Sequence, residues 1–240
     1  MLPLVLAGLF SLGALLRWID LIRLLPYPRY LLAFVRLWAT AFSRTPWSDG
    51  SFDKRQDARR FHKSMIELTY GETPVVTALR VLRAAGVDET SRMIDLGCGR
   101  GRVLLAARLL GAQAEGIDLL EAHVLAAREP LAAVGAEIRV GLAESVRLEG
   151  VTHVYAAWTC FSADTRERVT AHLRAGPIGL RVIVLNHPLE DDAFRLLKSL
   201  ALLCSWGRVP AYIYERIPPV ALPSPLPAAP ATRSPRGLTE

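Results

Sequence analysis

Glycine occupies three alternate positions immediately after a short apolar segment that carries an acidic residue near its end. The sequence there is Met-Ile-Asp-Leu-Gly-Cys-Gly-Arg-Gly, and the acidic residue is Asp95. The turn contains Gly97, Gly99 and Gly101. Glycine lets a backbone turn sharply and places no Cβ between the backbone and a ligand. The apolar residues from Val103 onward predict a helix whose first amide groups point at the same place, which is typical of a nucleotide-binding α/β domain.

A second carboxylate follows the next predicted strand. Residues 113–117 form that strand, and Asp118 ends it, 23 positions after Asp95 (118 − 95). A carboxylate at this point can accept hydrogen bonds from both ribose hydroxyls of a nucleoside. The alternative is a solvated aspartate at a strand end or a helix cap. The glycine spacing is G-x-G-x-G, which differs from the G-x-G-x-x-G of a dinucleotide site.

The D-x-G-x-G-x-G stretch resembles motif I of the class I S-adenosylmethionine (SAM)-dependent methyltransferases. The resemblance implies that SAM is the cofactor, with its methionine part against Asp95 and the three glycines and its ribose against Asp118. It also implies an α/β fold with a Rossmann-like sheet and helices on both faces. Further strands are predicted over residues 136–140, 151–157 and 180–185.

A second motif, Tyr-Gly-Glu-Thr at residues 70–73, ends 22 positions before Asp95 (95 − 73). Together with the glycine turn it resembles the Dot1 histone-lysine methyltransferases. It is equally similar to the FAM173-type lysine methyltransferases, which join a hydrophobic N-terminal segment to the same domain. The resemblance implies that Tyr70, Glu72 and Thr73 line the methionine end of the cofactor. Glu72 is then a candidate catalytic residue that orients the acceptor amine, and Thr73 is also a candidate N-cap of the following helix.

The adenine site departs from the usual methyltransferase pattern. Many of these enzymes place an aspartate two residues after the third strand, where it holds the adenine amino group. This chain has Leu142 at that position, so the adenine is expected to be held by a backbone group there or by Glu144. His123, on the preceding predicted helix, is expected to be a surface residue.

The methyl acceptor is expected at the carboxyl end of the fourth strand, since substrates of open α/β sheets bind at this edge. Dot1 proteins carry an asparagine pair there, whereas this chain has Ala157 and Trp158, which argues against a histone substrate. Trp158 is the second candidate catalytic residue, because it and Phe161 can form the wall of an apolar channel for an amine. The alternative is that both rings belong to the core.

Later parts of the chain carry weaker signals. Residues 193–203 are predicted to form a helix, followed by an antiparallel pair around Gly207. Three cysteines without C-x-x-C spacing exclude a disulfide framework and a zinc site, and no metal site is expected. The cysteines are expected to be reduced in the cytosol.

The first fifty residues differ in composition from the rest. Residues 1–16 are apolar apart from Ser11, and arginines recur from Arg17 to Arg44. We therefore predict hydrophobic helices over residues 1–50 that anchor the protein to a membrane or associate with it, with the catalytic domain on the cytoplasmic side. The alternative is a helical hairpin packed on the catalytic domain. A connector over 51–69, a methyltransferase domain over 70–217 and a disordered Pro- and Ala-rich tail over 218–240 complete the predicted organisation.

Three function classes remain open from the sequence. The first is a protein-lysine N-methyltransferase at the cytoplasmic face of a membrane, and the second is a methyltransferase of a small molecule or lipid. The third is a non-catalytic SAM-binding membrane protein. Expected partners are a protein lysine or a small amphiphile, together with membrane lipid at the N-terminal segment. Nucleic acid is not expected despite the net charge of +6, and the protein is expected to be a monomer.

Overall fold

A computed structural model of the protein describes residues 2–43, 51–65, 67–68 and 71–219. Tyr70 and the predicted tail beyond residue 219 lie outside the described residues. The helices are α1 (Leu2–Leu24), α2 (Pro28–Ser43), α3 (Ser51–Phe61), α4 (Val75–Ala85), α5 (Arg102–Leu109), α6 (Glu121–Ala132) and α7 (Ala163–Arg174). The strands are β1 (Arg92–Leu96), β2 (Gln113–Asp118), β3 (Ala136–Val140), β4 (His153–Ala156), β5 (Arg181–Leu185), β6 (Phe194–Cys204) and β7 (Gly207–Arg216).

The seven strands form one sheet in the order β3-β2-β1-β4-β5-β7-β6. The first five run parallel, and β7 pairs antiparallel with both β5 and β6. This confirms the predicted Rossmann-like α/β fold. The strand order reverses between β1 and β4, and the carboxyl ends of these strands therefore border a crevice in which ligands of such sheets bind.

The prediction of a helix over residues 193–203 is wrong. This segment is the edge strand β6, which pairs with β7 from Phe194 to Cys204. Its sequence, Phe-Arg-Leu-Leu-Lys-Ser-Leu-Ala-Leu-Leu-Cys, is an apolar run in which helix and strand periods cannot be distinguished. Pairing with a distant strand decides between the two.

Two apolar layers cover the sheet. One face packs against α4, α5 and α6 through buried side chains such as Val81, Leu105 and Val124. The other face packs against α7, which contributes Val169 and Leu173. The loops that leave the strands at their carboxyl ends are thereby held at fixed positions.

The N-terminal helices α1 and α2 form a hairpin that packs on the first of these layers. Leu16 and Leu24 of α1 and Phe34 and Leu37 of α2 are at most 4% exposed, and all but Leu16 belong to the same core cluster as α4 and α5. This arrangement matches the second alternative from the sequence, a hairpin on the catalytic domain. No helix among the described residues is both long and apolar enough to cross a bilayer.

Candidate cofactor and acceptor site

The glycine turn adopts a backbone conformation that side chains disfavour. The φ angles of Gly97, Gly99 and Gly101 are +76°, +52° and +73°. Gly101 leads directly into α5, and a Cβ on it would lie 2.4 Å from Cδ1 of Leu131. Glycine is required at this position for two reasons, because both the left-handed backbone and the contact with α6 exclude a larger residue.

Asp118 is held at the end of β2 by two backbone amides. Its Oδ2 accepts a hydrogen bond from the N–H of Gly99 at 2.7 Å, and its Oδ1 accepts one from the N–H of Leu120 at 2.8 Å. Each carboxylate oxygen keeps a further lone pair, so the group can still accept from two ribose hydroxyls. Burial raises the pKa of Asp118 to about 6, although the two amide hydrogen bonds act to lower it.

The prediction that His123 is a surface residue is wrong. Its side chain is 2% exposed, and its Nδ1 lies 4.0 Å from Oδ1 of Asp118. His123 lies on α6 in the turn that follows Asp118, and the packing of this helix on β2 and β3 turns the ring toward the crevice. Sequence reasoning failed here because the apolar pattern of α6, which also contains Pro130, is too weak to distinguish its inner face.

Asp95 adds a second carboxyl group below the glycine turn. It is 1% exposed, and burial raises its pKa well above the usual range, with a further contribution from the charge of Asp118. A cationic ligand beside the turn would favour the ionised form of both groups. This end of the crevice is therefore suited to a ligand that carries positive charge.

A smaller pocket adjoins Asp118 and is lined by the residues that the sequence places at the adenine. Leu119, Leu142 and Phe161 provide apolar walls, and Leu142 thus lies where the sequence places it. Glu144 also lines this pocket. Its Oε1 accepts a hydrogen bond from Nε of Arg168 at 3.0 Å, whereas its buried Oε2 has no partner among the described residues. That oxygen is a suitable acceptor for the adenine amino group.

Two residues of the Tyr-Gly-Glu-Thr motif do not line the crevice. Glu72 is 6% exposed and forms ion pairs with Arg17 and Arg102, each at 3.1 Å. The hydroxyl of Thr73 is hydrogen bonded to the hydroxyl of Tyr155 at 2.9 Å, so Thr73 does not cap α4. The expected contacts of Glu72 and Thr73 with the cofactor are therefore not formed by these side chains, because buried partners on other elements engage them.

A cavity of about 250 Å³ continues from Asp118 and Gly97 toward the ends of β4 and β6. Its outer walls are mostly apolar and consist of Leu68, Leu120, Ala157, Cys160, Phe161 and Trp206. Phe161 thus lies where the sequence places it. Trp158 does not, because it is 1% exposed, packs in the core beneath α7, and donates from Nε1 to the carbonyl of His187 at 2.9 Å.

Sequence reasoning missed Trp206 and the pair formed by Thr159 and Asn186. Trp206 lies in the turn between β6 and β7, and its ring would be 2.6 Å from a Cβ on Gly71, so it closes over the backbone of that residue. Nδ2 of Asn186 donates to Oγ1 of Thr159 at 2.7 Å, and Thr159 lines the cavity. A tryptophan beside a glycine in a tight turn was the available signal, but its position at the cavity depends on strand pairing.

Solved structures with the same fold include methyltransferases. The RNA methyltransferase from Salinibacter ruber, crystallised with S-adenosyl-L-homocysteine, is 27% identical, with 65% of this chain and 99% of that chain covered and a TM-score of 0.50. TrmN from Thermus thermophilus is 18% identical, with 63% and 52% covered and a TM-score of 0.54. A geranyl diphosphate methyltransferase solved with SAM is 14% identical, with 60% and 86% covered and a TM-score of 0.51. No protein-family model and no curated protein matches the sequence.

The fold and the site together fit a SAM-dependent methyltransferase. The strand order, the glycine turn and the ribose carboxylate each fit SAM, and Glu144 supplies an unused acceptor at the adenine position. The protein is an enzyme of this class with SAM as its cofactor. Its structural neighbours include RNA and small-molecule methyltransferases. These neighbours do not show the Dot1 or FAM173 type that the sequence motif resembles.

We expect Glu144→Ala to weaken the binding of S-adenosyl-L-homocysteine about tenfold, because the adenine amino group loses a charged acceptor. Isothermal calorimetry measures the change. Asp164→Ala is the matched control, since Asp164 also pairs with Arg168 but lies outside the pocket. Equal affinities for the two variants would indicate that Glu144 only anchors Arg168 and does not bind the adenine amino group.

We expect affinity for S-adenosyl-L-homocysteine to be full above pH 6 and to fall as the pH decreases below it. Protonation of Asp118, whose pKa is about 6, converts one ribose acceptor into a donor. The decrease approaches about tenfold per pH unit for a single proton. Asp118→Asn should bind S-adenosyl-L-homocysteine more weakly and lose less affinity as the pH decreases. We attribute the pH dependence that remains, as a smaller step in affinity, to Asp20, because burial also raises the pKa of Asp20 to about 6. An undiminished step in that variant would contradict the assignment.

Proposed function

We propose that the protein transfers a methyl group from SAM to the side-chain amine of a lysine in a partner protein. The observation that carries the proposal is the apolar wall of the acceptor cavity, formed by Leu120, Phe161 and Trp206 among others. An amine must be neutral to act as a nucleophile, and an apolar channel lowers its pKa by desolvation. A lysine side chain is also slim enough to enter such a channel with its amine end first.

Glu67 in the cavity wall is poorly suited to accept a proton from the amine. Glu67 lines the cavity, and although partial burial acts to raise its pKa, hydrogen bonds from Thr165 and Ser162 and the charge of Lys63 lower it to about 2. Its Oε1 is occupied by these partners. The acceptor is therefore expected to lose its proton to solvent before it enters.

Methyl transfer requires little of the protein beyond the positioning of the two reactants. SAM supplies a methyl carbon already activated by its sulfonium, and the nitrogen lone pair displaces the thioether in line. The chain holds the two reactants in line, which is the main contribution expected of a protein in such a displacement. The glycine turn and Asp118 orient the donor side, while Phe161 and Trp206 orient the acceptor side.

RNA is a second candidate acceptor. It is favoured by the 27% identity to the RNA methyltransferase from Salinibacter ruber and by the net charge of +6. A small amphiphile or lipid is the third candidate, because the same apolar walls suit an alkyl chain or a flat ring. These acceptors differ in how they partition on extraction.

Methyl-labelled SAM, purified protein and fractionated cell extract distinguish the candidates. We expect base-stable label in the protein fraction, which is lost with Asp118→Ala because that variant cannot hold the cofactor. Label in nuclease-sensitive material would transfer the assignment to RNA, and label in the solvent-extractable fraction would transfer it to a lipid or small molecule. Bound cofactor without label in any fraction would favour the non-catalytic alternative.

We also propose that the protein acts at an anionic membrane surface. The outer side of α1 carries Leu15, Trp18 and Ile22 at successive spacings of three and four residues, and Leu25 follows directly after the helix; each is between 56% and 61% exposed. Residues 1–48 contain five arginines, and their single acidic residue, Asp20, is fully buried. An apolar stripe on a positively charged hairpin is typical of a helix that lies in a lipid interface.

Flotation with vesicles of phosphatidylcholine and phosphatidylglycerol tests the membrane proposal. We expect the double variant Ile22→Ser and Leu25→Ser to bind such vesicles at least about tenfold more weakly, because two apolar side chains no longer enter the interface. Leu125→Ser is the matched control, since this leucine on α6 is 56% exposed and lies outside the hairpin. Vesicle binding that is equal in all three proteins would exclude the stripe as the lipid contact.

A further inference from the structure

A cluster of four charged residues lies between the N-terminal hairpin and the cofactor-binding turn. Nη2 of Arg102 lies 3.1 Å from Oε2 of Glu72, and Nη1 of Arg102 lies 3.7 Å from Oδ2 of Asp20. Arg17 completes the cluster by contacting the same oxygen of Glu72 at 3.1 Å. Asp20, Glu72 and Arg102 are each at most 6% exposed. Two carboxylates and the guanidinium group of Arg102 are thus buried together, and the partly exposed Arg17 borders them.

Asp20 does more than pair with a charge. Its Oδ2 accepts the backbone N–H of Val75 at 3.0 Å, and its Oδ1 accepts that of Val76 at 2.8 Å. These are the first two residues of α4, whose own preceding residue, Pro74, provides no side-chain cap. The first amides of a helix need an acceptor, and here α1 supplies it from a distant part of the chain.

Arg102 connects the cluster to the glycine turn. It is the first residue of α5 and follows Gly101 directly. Its guanidinium group also lies 5.2 Å from the ring centre of Phe34 on α2. Both helices of the hairpin therefore contact the residue that follows the turn.

The energetics of such a cluster favour a role in positioning. Buried ion pairs seldom add net stability, because the removal of both charges from water costs about as much as their attraction returns. They do specify geometry, since an alternative arrangement would leave a charge unpaired. In this molecule the fixed elements are the start of α4, which follows Gly71 of the cavity wall, and the start of α5, which follows the glycine turn.

We propose that Asp20 is a positioning residue for SAM binding, and that the N-terminal hairpin is thereby part of the cofactor-binding machinery. Asp20 holds Arg102 and the first turn of α4 in position. These two elements in turn position the backbone on both sides of the cofactor. The proposal concerns the cofactor site alone and does not depend on which acceptor the enzyme methylates.

The test compares Asp20→Asn with the wild-type protein in two measurements. We expect the dissociation constant of S-adenosyl-L-homocysteine to rise about tenfold. We also expect faster hydrogen exchange of the amides at residues 97–102 in the cofactor-free protein, because the turn loses its support.

Tyr30→Phe is the matched control. The hydroxyl of Tyr30 donates to the carbonyl of Arg108 at 3.0 Å, so this variant removes a hairpin contact at the opposite end of α5. It should lower the melting temperature and leave cofactor affinity unchanged. If Asp20→Asn behaves in the same way, with lower stability and unaltered affinity and exchange, the proposal is overturned.

A second variant keeps the proposal testable if Asp20→Asn does not fold. Arg102→Lys retains the positive charge but cannot contact Asp20 and Glu72 together as a planar fork does. We expect a threefold to tenfold loss of cofactor affinity, of order 1 kcal/mol. Wild-type affinity in Arg102→Lys would contradict the proposal.

Discussion

The hydrogen bond from the Gly99 amide to the Asp118 carboxylate is the contact on which the site depends. It joins the turn after β1 to the end of β2, and the Leu120 amide restrains the same carboxylate from the other side. The ribose acceptor is thus oriented by backbone groups before any ligand arrives. The left-handed turn that makes this contact possible also directs the first amides of α5 toward the crevice.

The crevice is divided by chemistry as well as by position. Carboxyl groups lie at the cofactor end, where Asp95 is buried below the turn and Asp118 lies beside the turn at the end of β2. Apolar and aromatic side chains dominate the acceptor end. A positively charged donor is favoured on one side, and a neutral nucleophile is favoured on the other. Glu72 would disturb this division if its charge entered the crevice, but Arg17 and Arg102 engage it in the cluster behind α5.

The N-terminal hairpin contacts two different environments. The inner side of α1 contributes Asp20 to the buried cluster, whereas the outer side exposes an apolar stripe. Helical spacing produces this division, since residues 16, 20 and 24 share one side and residues 15, 18 and 22 share another. The same helix therefore contacts the elements that hold the cofactor and presents the surface that we propose for lipid.

Local signals in the sequence were sufficient for the five parallel strands, the glycine turn, the position of Asp118 at the end of β2 and the position of Leu142 after β3. These features depend on residues close in the chain, because strand period and turn geometry are local. The tertiary structure decided the positions of His123, Trp158, Glu72 and Trp206, and it made residues 194–204 a strand. Each of these outcomes depends on a partner far along the chain, such as Arg102 for Glu72 or β7 for β6. A sequence determines which local structures are possible, whereas long-range packing and charge pairing select which side chains reach the site.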